Sequence, residues 1–229
     1  LDSVMNYPLR EAILSFAMGK SDAAALVRLV RHQAEVYPAQ FRYALMNLVG
    51  SHDRARALNI LAEKEGAGLT KAEQHALTLT ADEYALAVER YKLCVELLCA
   101  LPGNPTIYYG DEAGMQGYGD PFNRRPFPWG KEDTELTDFV RAVNLSKKSC
   151  PALIYGDFDP IPTESGVFAF RRTCESETVS CVSNMTNEPY LLPAPAFSLT
   201  DGMTACNVPA GQTKILKGDL FNDKAAKRP

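Results

Sequence analysis

No apolar run in the 229-residue chain approaches the roughly 20 residues that a membrane-crossing helix needs. Basic clusters are scarce as well. Lys and Arg number 24 against 28 Asp and Glu, a formal net charge of −4. A mildly acidic chain without a basic patch argues against a nucleic-acid surface. Its one basic run, Lys224 to Arg228, falls in a terminal tail (219–229) where disorder is expected. No CxxC pair occurs among the six cysteines at 94, 99, 150, 174, 181 and 206, and no His stands at metal-ligand spacing from a Cys. Free thiols are therefore expected, with no metal site and no evident cofactor, and a reducing, cytoplasmic setting is favoured. There is one tryptophan, Trp129. The chain opens on Leu1 within strand-like sequence, so the natural N-terminus, with any targeting segment, is expected to lie upstream.

What is present suits a packed globular protein. A hydrophobic fraction of 46% can build a real core, and 229 residues suit one large domain or two smaller ones. The most informative stretch is Tyr43 to Asp53. Ala44 to Val49 is apolar apart from Asn47, as expected of a strand covered on both faces. Gly50 breaks it, and Ser51-His52-Asp53 stands at its carboxyl end, where α/β sheets and (β/α) barrels bind ligands. Taken alone, His52-Asp53 also reads as an ordinary turn or capping pair.

The chain around this stretch alternates. Leu1 to Met5 reads as a strand and Arg10 to Met18 as a helix. Ser21 is the expected N-cap of a second helix over Asp22 to Tyr37, stopped by Pro38. His32, late in that helix, and His75 read as surface residues. After Asp53 a helix begins at Arg54 to Leu61. Capping boxes follow at Thr70-x-x-Glu73 and Thr80-x-x-Glu83, the second opening a long helix over Ala81 to Ala100. Asn104 to Glu112 then repeats the earlier arrangement: a strand at Thr106 to Tyr109, a glycine, and the carboxylates Asp111 and Glu112, which read as structural groups. Gly114 to Trp129 is a loop whose aromatics and charges suit either a sugar-like ligand or a packed surface. A helix over Thr134 to Lys148 closes this part.

From about 151 the pattern has period two. Short strands at Val167 to Phe170, Thr178 to Val182, Tyr190 to Leu192 and Thr213 to Leu216 make an antiparallel β module over 151–218. The fold class is α/β, followed by an all-β unit. Three parallel strands cannot close a barrel, so the first part reads as the end of a larger α/β domain.

These residues resemble a known family. Asn47 to Asp53 followed by Arg56 is similar to the seventh-strand motif of the alpha-amylase family of glycoside hydrolases. Leu1 to Pro8 resembles the sixth strand of its neopullulanase, cyclomaltodextrinase and maltogenic amylase branch, and Gly103 to Gly114 the eighth-strand segment. Asp120-Pro121 with Arg124, Arg125, Pro126 and Trp129 resembles the following loop, and 151–218 the C-terminal domain.

The resemblance implies strands six to eight of a (β/α)8 TIM barrel over 1–150, then an antiparallel β-sandwich. It implies a retaining hydrolase of α-glucans such as maltodextrin, cyclodextrin or pullulan. That chemistry needs a nucleophile and an acid/base. In the family they stand on strands four and five, which this sequence does not contain, so the chain alone is expected to be inactive. Asp53 is the implied third catalytic carboxylate and His52 a substrate-binding neighbour. Asp120 and Arg124 are implied to bind sugars further along the glucan. Arg54 departs from the small polar residue common in relatives. Calcium, and a module that drives homodimers, belong in the family to parts N-terminal of this sequence. Two rival readings remain at this point: a non-catalytic amylase-like scaffold, and a carbohydrate-binding β module.

Overall fold

The computed structural model describes residues 3–66 and 68–221. The start of the expected first strand, Leu1 and Asp2, lies outside them, as does the basic run Lys224 to Arg228.

Three parallel backbone segments form the spine. Met5 bridges to Met46, and β1 (Met46–Leu48) pairs along its length with β2 (Asn104–Thr106). Their register is held partly by polar side chains. Buried Asn47 accepts from Asn6 Nδ2 at 3.0 Å and donates to the Pro102 carbonyl at 2.9 Å, while Gln33 donates to Asn6 Oδ1 at 2.7 Å. A buried amide must find such partners, and here they tie all three segments together. Gly103 is required where the chain passes Asn47: its φ is +117°, and a Cβ there would meet Asn47 Nδ2 at 2.7 Å.

Helices α1 (Tyr7–Ala17) and α2 (Ala23–Val36) join the first two segments, followed by a short α3 (Ala39–Ala44). The N-cap of α2 is Asp22, not Ser21: its carboxylate accepts from the Ala25 amide at 3.0 Å. Because α3 continues to Ala44, β1 is shorter than the apolar run. The strand read at Thr106 to Tyr109 likewise ends at Thr106, because the chain turns there to bring Tyr108 and Tyr109 over an arginine.

Between β1 and β2 come α4 (Ala57–Leu61), α5 (Lys71–Ala76) and α6 (Ala81–Ala100). Both expected capping boxes form, at Thr70/Glu73 and Thr80/Glu83. From Leu93 to Ala100 every residue of α6 is buried, as befits a helix enclosed on all sides. Its last carbonyls would be orphans within the helix. Two buried cations take them. Lys147 Nζ, from α7 (Thr134–Ser149), donates to Cys99 O and to Leu153 O, each at 2.9 Å. Arg172 donates to Ala100 O and, through Nη2 at 2.8 Å, to Gly156 O. Positive charge also complements the negative end of the helix.

A short α8 (Pro151–Tyr155) follows, with Pro151 in its first turn. Then come β3 (Asp157–Ile161), β4 (Val167–Thr173), β5 (Thr178–Asn184), β6 (Tyr190–Phe197), β7 (Thr204–Val208) and β8 (Gln212–Lys217). The antiparallel order β3-β4-β5-β8 makes one sheet, and β6-β7 makes a second. One face of the larger sheet carries Phe168, Phe170, Val179, Cys181 and Ile215 into the core shared with the helices, where Phe16 meets Phe168 edge-on at 5.9 Å. The other face packs Val167, Ala169, Val182 and Leu216 against Ala196 and Val208 of the hairpin. With both faces covered, β4 cannot alternate polar with apolar. The six thiols are free, and four of them (94, 99, 150 and 181) are buried.

Candidate functional site

The site grows from the carboxyl end of β1. Arg10 Nε donates to the Val49 carbonyl at 2.9 Å and holds the strand end against α1. At Gly50 the absence of a side chain matters, because the Asp111 carboxylate occupies the space a Cβ would need. Ser51 is buried, and its Oγ receives Tyr7 Oη at 3.1 Å and the Asp53 amide at 3.3 Å. This small turn faces two side chains outward. His52 is 54% exposed and Asp53 58%, with Nε2 and Oδ1 3.2 Å apart.

Arg56, three residues on, points the other way. It is fully buried, with its guanidinium 4.3 Å from the Tyr108 ring centroid and 4.7 Å from that of Tyr109. Nη1 donates to the Tyr109 carbonyl and to Asp111 Oδ1, the latter at 3.0 Å. Burial pushes the Asp111 carboxyl up, and the Arg56 charge opposes that rise. Asp111 is thus a structural anchor joining the two strand ends, as the sequence suggested. Glu112 is half-buried beside it.

The loop after β2 supplies the other wall. Its one helical turn, Phe122–Arg124, sets Asn123 and Arg124 against the 52–54 turn. Arg124 Nε donates to the His52 carbonyl at 3.2 Å and lies 3.1 Å from Asp120 Oδ1, and its Nη2 lies 3.8 Å from Asp53 Oδ1. The structure therefore brings His52, Asp53, Asp120 and Arg124 into one exposed polar cluster. Arg54 contributes its backbone carbonyl to the loop contact. His75 is exposed with its ring 5.7 Å from that of Phe122, and His32 is exposed on α2. Trp129 lies 81% exposed, its ring 4.5 Å from that of Phe127.

Comparison with known proteins is decisive for the family. The family described as the alpha amylase catalytic domain matches residues 1–150. The chain belongs to the alpha-amylase family. An amylopullulanase of Thermoanaerobacter thermohydrosulfuricus is 39% identical over 182 residues, which cover 75% of this chain and 12% of that protein. A cyclomaltodextrinase of Geobacillus thermopakistaniensis is 31% identical over 199 residues, 85% of this chain and 30% of that one. Among solved structures, a maltogenic amylase from S. marinus superposes with a TM-score of 0.75 at 26% identity, covering 97% of this chain and 29% of its own. The type III pullulan hydrolase from Thermococcus kodakarensis gives 0.74 at 29% identity, covering 95% and 36%. This family member thus spans little more than a third, or less, of each of these proteins.

Sequence reasoning missed three contributors to the cluster of this alpha-amylase-family chain: Tyr7, Ser51 and Asn123. Tyr7 and Ser51 stand inside the quoted motifs but offer no local signal of mutual contact. Asn123 lies in the right loop, yet its partners are far away in sequence.

Proposed function

We propose that this chain is the C-terminal portion of a retaining glycoside hydrolase acting on α-glucans such as maltodextrin, cyclodextrin or pullulan. In this reading Met5, β1 and β2 belong to strands six, seven and eight of a (β/α)8 barrel over residues 1–150. An antiparallel β-sandwich domain follows over 151–218, and a tail over 219–229.

The observation that carries the reading is the Asp53 carboxylate, exposed at the carboxyl end of the central parallel strand with His52 and Arg124 beside it. Ligands of such sheets and barrels meet the protein at that end. A carboxylate there accepts from sugar hydroxyls and strengthens those bonds as the oxocarbenium-like transition state develops. His52 donates to the same sugar. Asp120 and Arg124 present an acceptor and a donor to the next unit of the glucan. The nucleophile and the acid/base belong to barrel strands outside this sequence, so the 229-residue chain by itself does not hydrolyse. Among the described residues no group of three or more His, Cys, Asp or Glu is arranged to hold a metal.

The test is Asp53→Asn in the full-length enzyme. The substitution keeps shape and removes charge, and kcat is expected to fall by about 10²–10³-fold, as when one preorganised transition-state group is lost. Near-full activity would reject the assignment. Release of reducing sugar from cyclodextrin by the isolated chain would overturn the division of labour, and a full-length protein that binds glucan without cleaving it would favour a scaffold role.

A further inference from the structure

We infer that Asn123 is the positioning residue of the Asp53 turn; the inference rests on the reading of Asp53 given above. Asn123 is fully buried on the 3-10 turn after β2. Its Nδ2 donates to the His52 carbonyl at 2.7 Å and to the Arg54 carbonyl at 2.8 Å. The two carbonyls belong to the residues on either side of Asp53, so one amide group ties down both neighbours of the proposed catalytic residue. Both neighbours of the nitrogen are acceptors, which fixes the orientation of the amide. Arg124 Nε adds a second donor to His52 O at 3.2 Å.

The clamp is itself braced. Asn59 Oδ1 accepts from the Gly117 amide at 2.7 Å, and the Arg56 amide donates to the Gly117 carbonyl at 2.9 Å. Gly117 lets the loop fold back on itself, since a Cβ there would stand 2.3 Å from the Phe122 carbonyl. Tyr108 Oη reaches the Asn123 carbonyl at 3.4 Å. The loop bearing Asp120 and Arg124 is thus registered on the turn bearing His52 and Asp53 through buried contacts, while the exposed charges themselves remain open to a ligand. An exposed carboxylate on a short turn has many rotamers and backbone poses. Fixing both flanking carbonyls removes much of that freedom before substrate arrives.

The experiment uses the full-length enzyme with Asn123→Asp, which is isosteric and, ionised, donates nothing, and with Asn123→Ser, which retains one shorter donor. Asn123→Asp is expected to lower kcat by about 10²-fold, the scale of a small misplacement, with KM nearly unchanged. Asn123→Ser is expected to lose less, again in kcat. Because Asn123 acts through Asp53, the double variant Asp53→Asn/Asn123→Asp should be no slower than Asp53→Asn alone. If Asn123→Asp does not fold cooperatively, the serine variant carries the same comparison. Full kcat in a folded Asn123 variant, or losses that multiply in the double variant, would overturn the clamp. Full activity in Asp53→Asn would instead overturn the reading beneath it.

Discussion

Asp111 closes over Gly50: a Cβ built at Gly50 would stand 1.8 Å from Asp111 Oδ2. The glycine therefore does more than interrupt a strand. It admits a buried carboxylate from the neighbouring strand end. Gly50→Ala forces that carboxylate away from Arg56 and is expected to cost about 1–3 kcal/mol, the range for overpacking a filled interior. Chemical denaturation of both proteins measures the difference, and equal midpoints would show that the contact relaxes freely.

Arg56 is held by the Asp111 carboxylate at 3.0 Å and by the faces of two tyrosines. Arg56→Met leaves Asp111 buried without its counter-charge and is expected to destabilise by about 3–5 kcal/mol. Arg56→Lys keeps the charge but cannot present a planar group to both rings, so it should recover only part of the loss. Thermal unfolding of the three proteins under one buffer orders them.

Arg172 joins the β sheet to the end of α6. It donates twice to Gly156 O, at 3.1 and 2.8 Å, and once to Ala100 O. Arg172→Leu leaves these acceptors without their partner, at about 1–3 kcal/mol for each carbonyl left buried and unpaired. Loss of stability without loss of helical signal, read by circular dichroism during denaturation, is the expected result.

Glu96 gives the stability a pH dependence. It is buried in α6, accepts from Thr200 Oγ1 at 3.0 Å, and lines a cavity with Asp201 and Lys214. Burial pushes its carboxyl up to about 8 from an ordinary 4.5. The folded chain therefore keeps a proton between those values that the unfolded chain releases. The contribution of Glu96 is full below the lower value and falls as pH rises to the upper one. Glu96→Gln keeps the acceptor for Thr200 and removes the titration. Its unfolding temperature should exceed that of the parent at pH 8 and match it more nearly at pH 5. Parallel pH profiles for the two proteins would contradict this.

Much of the local structure could be read directly from residue order. The capping boxes at Thr70 and Thr80 and the long helix that follows them depend on chemistry within a few positions. So did the residue types of the candidate site: His52, Asp53, Asp120 and Arg124 were legible as a motif and a loop. Tertiary structure decided which of them meet. Arg124 reaches the His52 carbonyl across 72 positions, and nothing in the spacing of either segment specifies that distance. The same holds for Asn123, whose role exists only once the loop has closed on the turn. Strand ends moved for a similar reason. Ala44 is apolar enough for a strand, but α3 claims it, and Tyr108 and Tyr109 leave the strand to cover Arg56. Capping and periodicity are settled by neighbours along the backbone, whereas burial of a charge or a carbonyl is settled by whatever the folded chain places opposite it.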